Sequence, residues 1–273
     1  MSTDIERKDP PSGSIRRQQM IWLFMFAFLL LTTLVISCKK SQALQEGTLL
    51  KRIVTTSSFA GGIDSFFYDN QKRLTAIKVF NNQDYNKFIE YGPDGNIFRV
   101  IYKYQGADVY SFKFIRNPLG QIIRKSSTPS PGFQYAFDQS YTYDNAGRLV
   151  SDTTYYKQTD SVLYYGSYKY DNNGNIFESD FYDLINTNNH GKTTNLYDNK
   201  TNPYKLQGLV YYFVTDNPSY LNQNNLVEWR SYWSPPRKNE LTYQTNGLPK
   251  TISTEDPISP IGPIKSTQVF EYW

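Results

Sequence analysis

Tyr143-Asp144-Asn145-Ala146-Gly147-Arg148-Leu149 and, further along, Tyr170-Asp171-Asn172-Asn173-Gly174-Asn175-Ile176 spell one pattern, Tyr-Asp-x-x-Gly-polar-Leu/Ile. Aromatic side chains lead into each at every second position, Tyr141-x-Tyr143 and Tyr168-x-Tyr170. A period of two describes a strand with one buried face. Asp just after a strand accepts hydrogen bonds from amides two residues on, and Gly supplies a positive φ. The closing Leu or Ile restarts the apolar face on a returning strand. Each copy is therefore expected to be a β-hairpin, three to five residues reversing the chain.

Outward from this pair, Tyr91 to Ile97 repeats the pattern with the acid displaced to Asp94, and Tyr68 to Leu74 repeats it without the Gly. Weaker copies run from Arg116 to Ile122, Tyr197 to Pro203, Tyr220 to Leu226 (Asn224 in the Gly slot) and Tyr243 to Leu248. Their leading residues recur every 23 to 27 positions, room for two strands of about eight residues and a second turn. The pattern predicts an all-β fold, an antiparallel meander of about 14–16 strands. A sheet that size twists and cannot stay flat, so it should curl into an open or closed barrel-like sheet. No segment after Cys38 shows a convincing helical period. Thr254 to Ile264 reads as a loop before a last strand, Thr267 to Trp273.

Composition sets the outer bounds. Of 273 residues, 16% are aromatic, which argues against a disordered chain. A mean hydropathy of −0.59 with a single long apolar run excludes a multi-span helical membrane protein. One Cys and one His leave neither a disulfide scaffold nor a Cys/His metal cage. The net charge of +4 is thin, and no run of five basic residues occurs, so nucleic acid is not an expected partner.

Met20 to Ser37 is uncharged, with Arg16 and Arg17 before it and Cys38-Lys39-Lys40 after it. A positive segment, an apolar helical stretch and a small residue before a cut describe a secretory signal. The ending Leu34-Val35-Ile36-Ser37-Cys38 resembles the lipobox of bacterial lipoproteins, although Ile36 stands where a small residue is more usual. That resemblance implies lipidation of Cys38, which becomes the first residue of the mature chain. A single uncleaved span is the alternative, since about 18 apolar residues can just cross a bilayer. The expected organisation is a cytoplasmic n-region and signal peptide over 1–37, an anchor linker over 38–47 and an all-β domain over 48–273. Lys39, where inner-membrane lipoproteins usually carry Asp, favours the outer membrane.

The Tyr-Asp-x-x-Gly-Arg-Leu element resembles the YD repeat of Rhs-type shell proteins, which wind such repeats into a cocoon around a toxin. With about eight copies and no toxin domain, the encapsulating role does not carry over. In length, lipobox and the element Tyr197-Asp198-Asn199-Lys200-Thr201-Asn202-Pro203-Tyr204, residues 48–273 also resemble an uncharacterised Gram-negative lipoprotein family. That family implies a porin-like all-β fold and no known function.

Ser111 and Lys113 alternate with Tyr110, Phe112 and Phe114, one face aromatic and the other polar. A bilayer-spanning barrel needs an apolar outer band some 25 Å tall. The alternation instead suits a soluble barrel with a packed or partly filled interior.

Residues for chemistry are few. His190 lies in the polar stretch Asn186 to Lys192 and reads as an exposed loop residue. Asp171 to Asn175 resembles a calcium loop, but Tyr182 stands where a bidentate Glu is needed. Asp69, Asp144, Asp171 and Asp198 belong to repeat turns and are poor candidates for a unique active site. No catalytic residue, cofactor or metal is expected. Trp229, Tyr232 and Trp233 form the densest aromatic cluster and could stack on a sugar, or serve as core. The expected function is a non-catalytic envelope role for a membrane-anchored lipoprotein, with an envelope protein or glycan as partner. A surface glycan-binding lipoprotein is the alternative reading, and a carboxylate-based glycoside hydrolase the third.

Overall fold

The computed structural model describes residues 48–57, 61–80, 85–131, 136–185, 189–231, 234–256 and 264–273. The signal segment, Cys38, the anchor linker, Tyr232 and Trp233 lie outside these residues. The strands are β1 (Leu50–Ser57), β2 (Gly62–Tyr68), β3 (Leu74–Phe80), β4 (Tyr85–Tyr91), β5 (Ile97–Tyr104) and β6 (Ala107–Arg116). Next come β7 (Ile122–Pro129), β8 (Phe137–Tyr143), β9 (Leu149–Tyr156), β10 (Ser161–Tyr170), β11 (Ile176–Asp183) and β12 (Asn189–Thr201). The last four are β13 (Asn224–Ser231), β14 (Ser234–Tyr243), β15 (Pro249–Asp256) and β16 (Ile264–Tyr272). Each pairs antiparallel with its sequence neighbours, and β1 pairs with β16, so the expected meander closes into a barrel of 16 strands.

Six of the repeat copies make the same five-residue turn between strands. In each, the first amide donates to the fifth carbonyl and the fourth amide to the first carbonyl, as in Asp144 to Arg148 and Asp171 to Asn175. Asp144 Oδ1 accepts from the amides of Ala146 and Arg148 at 3.0 and 2.8 Å, and Asp171 Oδ1 from Asn173 and Asn175 at 2.9 and 2.8 Å. The fourth position has positive φ, +77° at Gly147 and +83° at Gly174. Lys72 holds that conformation at +60° in the copy without Gly.

The repeat extends beyond the turn. The leading residue pairs with the returning Leu or Ile, and the residue after that is skipped by the ladder. Such a bulge follows Leu50, Leu74, Ile97, Ile122, Leu149, Ile176, Leu226 and Pro249, so it marks the same rim all round the barrel. Regular bulges add twist and curvature, which helps a wide sheet to close. Leading tyrosines then tie one repeat to the previous one. The hydroxyls of Tyr68, Tyr91, Tyr170 and Tyr197 donate to the carbonyls of Leu50, Leu74, Leu149 and Ile176, each at 2.8 Å. Tyr143 reaches Ile122 O at 2.6 Å, and Tyr272 reaches Pro249 O at 3.0 Å.

Two of the weaker copies are not hairpins. The Tyr197–Pro203 copy does not turn back, because β12 runs on to Thr201 and the chain then leaves the wall. Tyr220 sits in a 3-10 turn, Pro218–Leu221, and not at the end of a strand. Between them lies a short helix, α1 (Gly208–Thr215), where no helix was expected. Its residues Tyr211, Tyr212, Phe213 and Val214 are all buried. A helix apolar on every side shows no amphipathic period, and it is stable only when surrounded.

The barrel surrounds its buried residues, while Leu209 in the first turn stays exposed. Tyr211 meets Tyr68 of β2, while Tyr102 of β5 donates to the Val214 carbonyl. Gln207 caps the Leu74 amide at 3.0 Å, and Asn222 accepts from the Ile176 amide at 2.7 Å. A segment touching strands on opposite sides of a closed barrel lies within its lumen. Tyr211 and Val214 join Leu50, Ile53, Phe66, Leu74, Val100 and Phe270 in one core cluster. Tyr212 and Phe213 join Ile122, Tyr141 and Leu149 in a second.

The outer wall has the opposite character. Cross-strand ion pairs Arg52–Glu271, Arg99–Glu90 and Lys169–Glu178 span neighbouring strands at 2.5, 2.9 and 2.6 Å. Phe112 and Phe114 pack against the inner cluster, as the alternation with Ser111 and Lys113 predicts.

Candidate functional site

The plug is fixed by charge as well as by packing. Lys125, on β7, is only 1% exposed, and its Nζ contacts both carboxylate oxygens of Asp216 at 2.8 and 2.7 Å. Asp216 caps the C-terminus of α1 with φ +57°, a left-handed conformation that Asp tolerates better than most residues. The Phe112 ring lies 4.2 Å from the same ammonium. Lys87 also faces this region. Its burial lowers its pKa, and the nearby Asp216 and Asp64 carboxylates oppose that shift.

Beyond the plug, towards the end opposite the repeat turns, lies a cavity of about 420 Å³. Its walls are Phe112, Phe137, Tyr164 and Phe181, with Gln139, Asp152, Thr154 and Ser179 between them, and Asp216 and Pro218 come from the plug segment. Tyr164 and Phe181, on β10 and β11, stack with centroids 5.7 Å apart and planes 20° apart. Asp152 is held by Tyr168 Oη at 2.5 Å and by Gln139 Nε2 at 3.1 Å. Burial pushes its pKa up, hydrogen bonds from Tyr168, Gln139 and Tyr212 oppose that, and the Asp216 charge adds to the rise. A Cβ at Gly166 would meet Asp152 Oδ1 at 2.7 Å and Tyr168 Oη at 3.1 Å, so the glycine makes room for this hydrogen bond.

Of the aromatic trio singled out from sequence, Trp229 lies on β13 and lines a separate cavity of about 240 Å³ with Tyr204, Tyr220 and Phe270. Tyr232 and Trp233 fall outside the described residues, as does Cys38. His190 is not in a loop. It belongs to β12, stacked on Tyr182 at 4.2 Å with Nε2 3.4 Å from Asp180 Oδ1, and polar neighbours made the strand read as loop. Thr254 and Ile264, expected to bound a loop, lie within β15 and β16. The repeat aspartates are occupied by their turns, and Asp198 accepts from the Asn225 amide and from Tyr243 Oη. Lys125, Asp152, Tyr164, Phe181 and Asp216 were missed. Gly166 inside an aromatic strand was the available signal, because glycine there marks a close approach.

The closed antiparallel barrel of 16 strands has a porin-like fold. Among solved structures the chain is similar to a porin-like protein from Bacteroides uniformis, with TM-score 0.59 at 10% identity. The match covers 82% of this chain and 98% of that one. A porin-like protein from Bacteroides vulgatus matches with TM-score 0.47 at 13% identity over the same shares. No family model matches the sequence, and no curated protein is similar to it.

Proposed function

We propose that this chain is a lipid-anchored, non-catalytic protein of the outer membrane, a barrel of YD-type hairpins standing on the membrane by its turn-bearing rim. The observation that carries this reading is the contrast between wall and rim. Ion pairs on the outer wall do not suit the tall apolar band that lipid requires. At the rim, Phe98, Ile115, Leu119 and Ile123 sit on neighbouring strands and their turn, exposed by 52, 49, 83 and 37%. Trp273 follows β16 on the same rim, with the Lys51 ammonium 4.7 Å from its ring. Aromatic and basic side chains side by side suit a membrane interface. Leu50 starts β1 at this rim, so the segment running back to Cys38 leaves from the same end.

Two measurements test the two halves. Cys38→Ser is expected to stay unprocessed and unlabelled by palmitate, and unchanged labelling overturns the anchor. The acylated protein in vesicles of brominated phosphatidylcholine is expected to lose tryptophan fluorescence, and Trp273→Phe to abolish most of that loss. An anchored protein quenched equally with and without Trp273 overturns the rim contact alone.

A surface glycan-binding role is the second reading, favoured by the aromatic cavity at the opposite mouth.

A further inference from the structure

The cavity beyond the plug joins a flat aromatic platform to a group of hydrogen-bonding side chains. Tyr164 and Phe181 form the platform on adjoining strands, and Phe181 is 50% exposed at its edge. Phe112 and Phe137 complete the apolar walls. Gln139, Asp152, Thr154, Ser179 and Asp216 contribute both donors and acceptors. A carboxylate has about four lone-pair sites, and the Asp152 side chain accepts from Tyr168, Gln139 and Tyr212, which leaves room for one more bond. The Lys125 ammonium is matched by Asp216, while Asp152 and Asp180 add two further carboxylates to the lining. Such walls discriminate against an anionic ligand, which would lose water and meet like charge.

The complementary ligand carries no negative charge and presents one apolar face and an edge of hydroxyls. We propose that this cavity is a binding site for a pyranose-bearing mono- or disaccharide, its C–H face on Tyr164 and Phe181 and its hydroxyls towards Asp152, Gln139 and Asp216. The proposal rests on the glycan-binding reading and gives it a location away from the Trp229 cluster. A volume of about 420 Å³ falls within the range of small-molecule sites. The site also depends on the plug, which supplies Asp216 and Pro218 as its floor. The chain leaves β1 from the opposite rim, so this mouth opens away from the proposed membrane contact.

Isothermal titration of the acylated protein in lipid nanodiscs tests the site, with maltose, lactose, cellobiose and N,N′-diacetylchitobiose as probes. At least one is expected to bind with a Kd below about 1 mM. Phe181→Ala and Tyr164→Ala are each expected to weaken it at least tenfold. Phe177→Ala, on the outer rim, leaves it unchanged. Phe181 is half exposed, so its loss is expected to leave the thermal melt close to the parent's. Binding that survives both cavity substitutions overturns this site while leaving the glycan reading standing. No heat with any probe overturns both.

Discussion

Replacing Asp216 with Asn tests how the plug is held, and the structure sets the size of the effect. The two partners of the ion pair are unequally buried: Lys125 is 1% exposed at its side chain and Asp216 43%. Removing the acid leaves an ammonium in the lumen without its counter-charge, a change that costs about 3–5 kcal/mol for buried pairs. The Phe112 ring at 4.2 Å offsets part of this, on the order of 1 kcal/mol. The Asn carbonyl offsets a little more by accepting one hydrogen bond. Asn also tolerates the left-handed backbone at this position, so the cost is electrostatic and not conformational. A net loss of about 2–4 kcal/mol follows, and in a domain this size each kcal/mol lowers Tm by about 2–4 °C.

Lys125→Met behaves differently. Methionine fills much of the same space, and the carboxylate left behind still reaches solvent, so the loss is about 1 kcal/mol. The double variant recovers most of what Asp216→Asn alone loses. Thermal melts followed by circular dichroism measure all three variants. A Lys125→Met loss equal to or larger than that of Asp216→Asn refutes the reasoning.

Three further outcomes are expected. Gly174→Val costs more than Gly147→Val, both above about 1 kcal/mol in urea titrations, because φ is positive at each but a Cβ at Gly174 also meets Gln223 Cγ at 3.1 Å. Burial pushes Tyr91 and Tyr143 up to about 12. Their stabilisation is complete below the unfolded tyrosine value of about 10 and is lost as pH rises towards the folded one. Midpoints in urea should fall between pH 10 and 12, less so in Tyr143→Phe, which loses about 1 kcal/mol at pH 7 with its 2.6 Å bond to Ile122 O. Exchanging residues 198–225 for Asp-Asn-Ala-Gly-Arg joins Tyr197 to Leu226 by a repeat turn but empties the lumen, and it is expected to replace a cooperative melt by a broad one with dye-binding apolar surface.

The turns and the strand number were legible because their causes are local. Asp144 and Asp171 satisfy amides within four residues, and Gly147 and Gly174 take a conformation that few other residues adopt. The rim bulges left a trace that went unread, since Leu149-Val150 and Ile176-Phe177 break the alternation by placing two apolar residues together. The plug was hidden by arithmetic. Tyr220 falls 23 residues before Tyr243, the spacing of a real repeat, yet it belongs to a chain folded inward. The candidate site was hidden for a different reason. Lys125 and Asp216 are far apart in sequence, and only the entry of the plug into the barrel brings the ammonium and the carboxylate together.

Sixteen strands create a problem that the plug solves. Barrels of 16 to 18 strands are wide enough to leave an aqueous channel, whereas about eight strands leave an interior that side chains can fill. A water-filled lumen would remove the reason for inward aromatics, because Tyr102, Phe112, Tyr141 and Phe270 would face solvent. The chain therefore needs both inward rings and a segment apolar on every side, and Leu-Val-Tyr-Tyr-Phe-Val of α1 is that segment. The hydrophobic requirement is thus turned inside out relative to a bilayer pore: apolar residues gather around the axis, and ion pairs such as Arg52–Glu271 and Lys169–Glu178 occupy the outside. An 8-residue helix cannot fill such a lumen along its whole length. The space left beyond Asp216 is the consequence, and strands so rich in tyrosine and phenylalanine line it with rings whatever ligand enters.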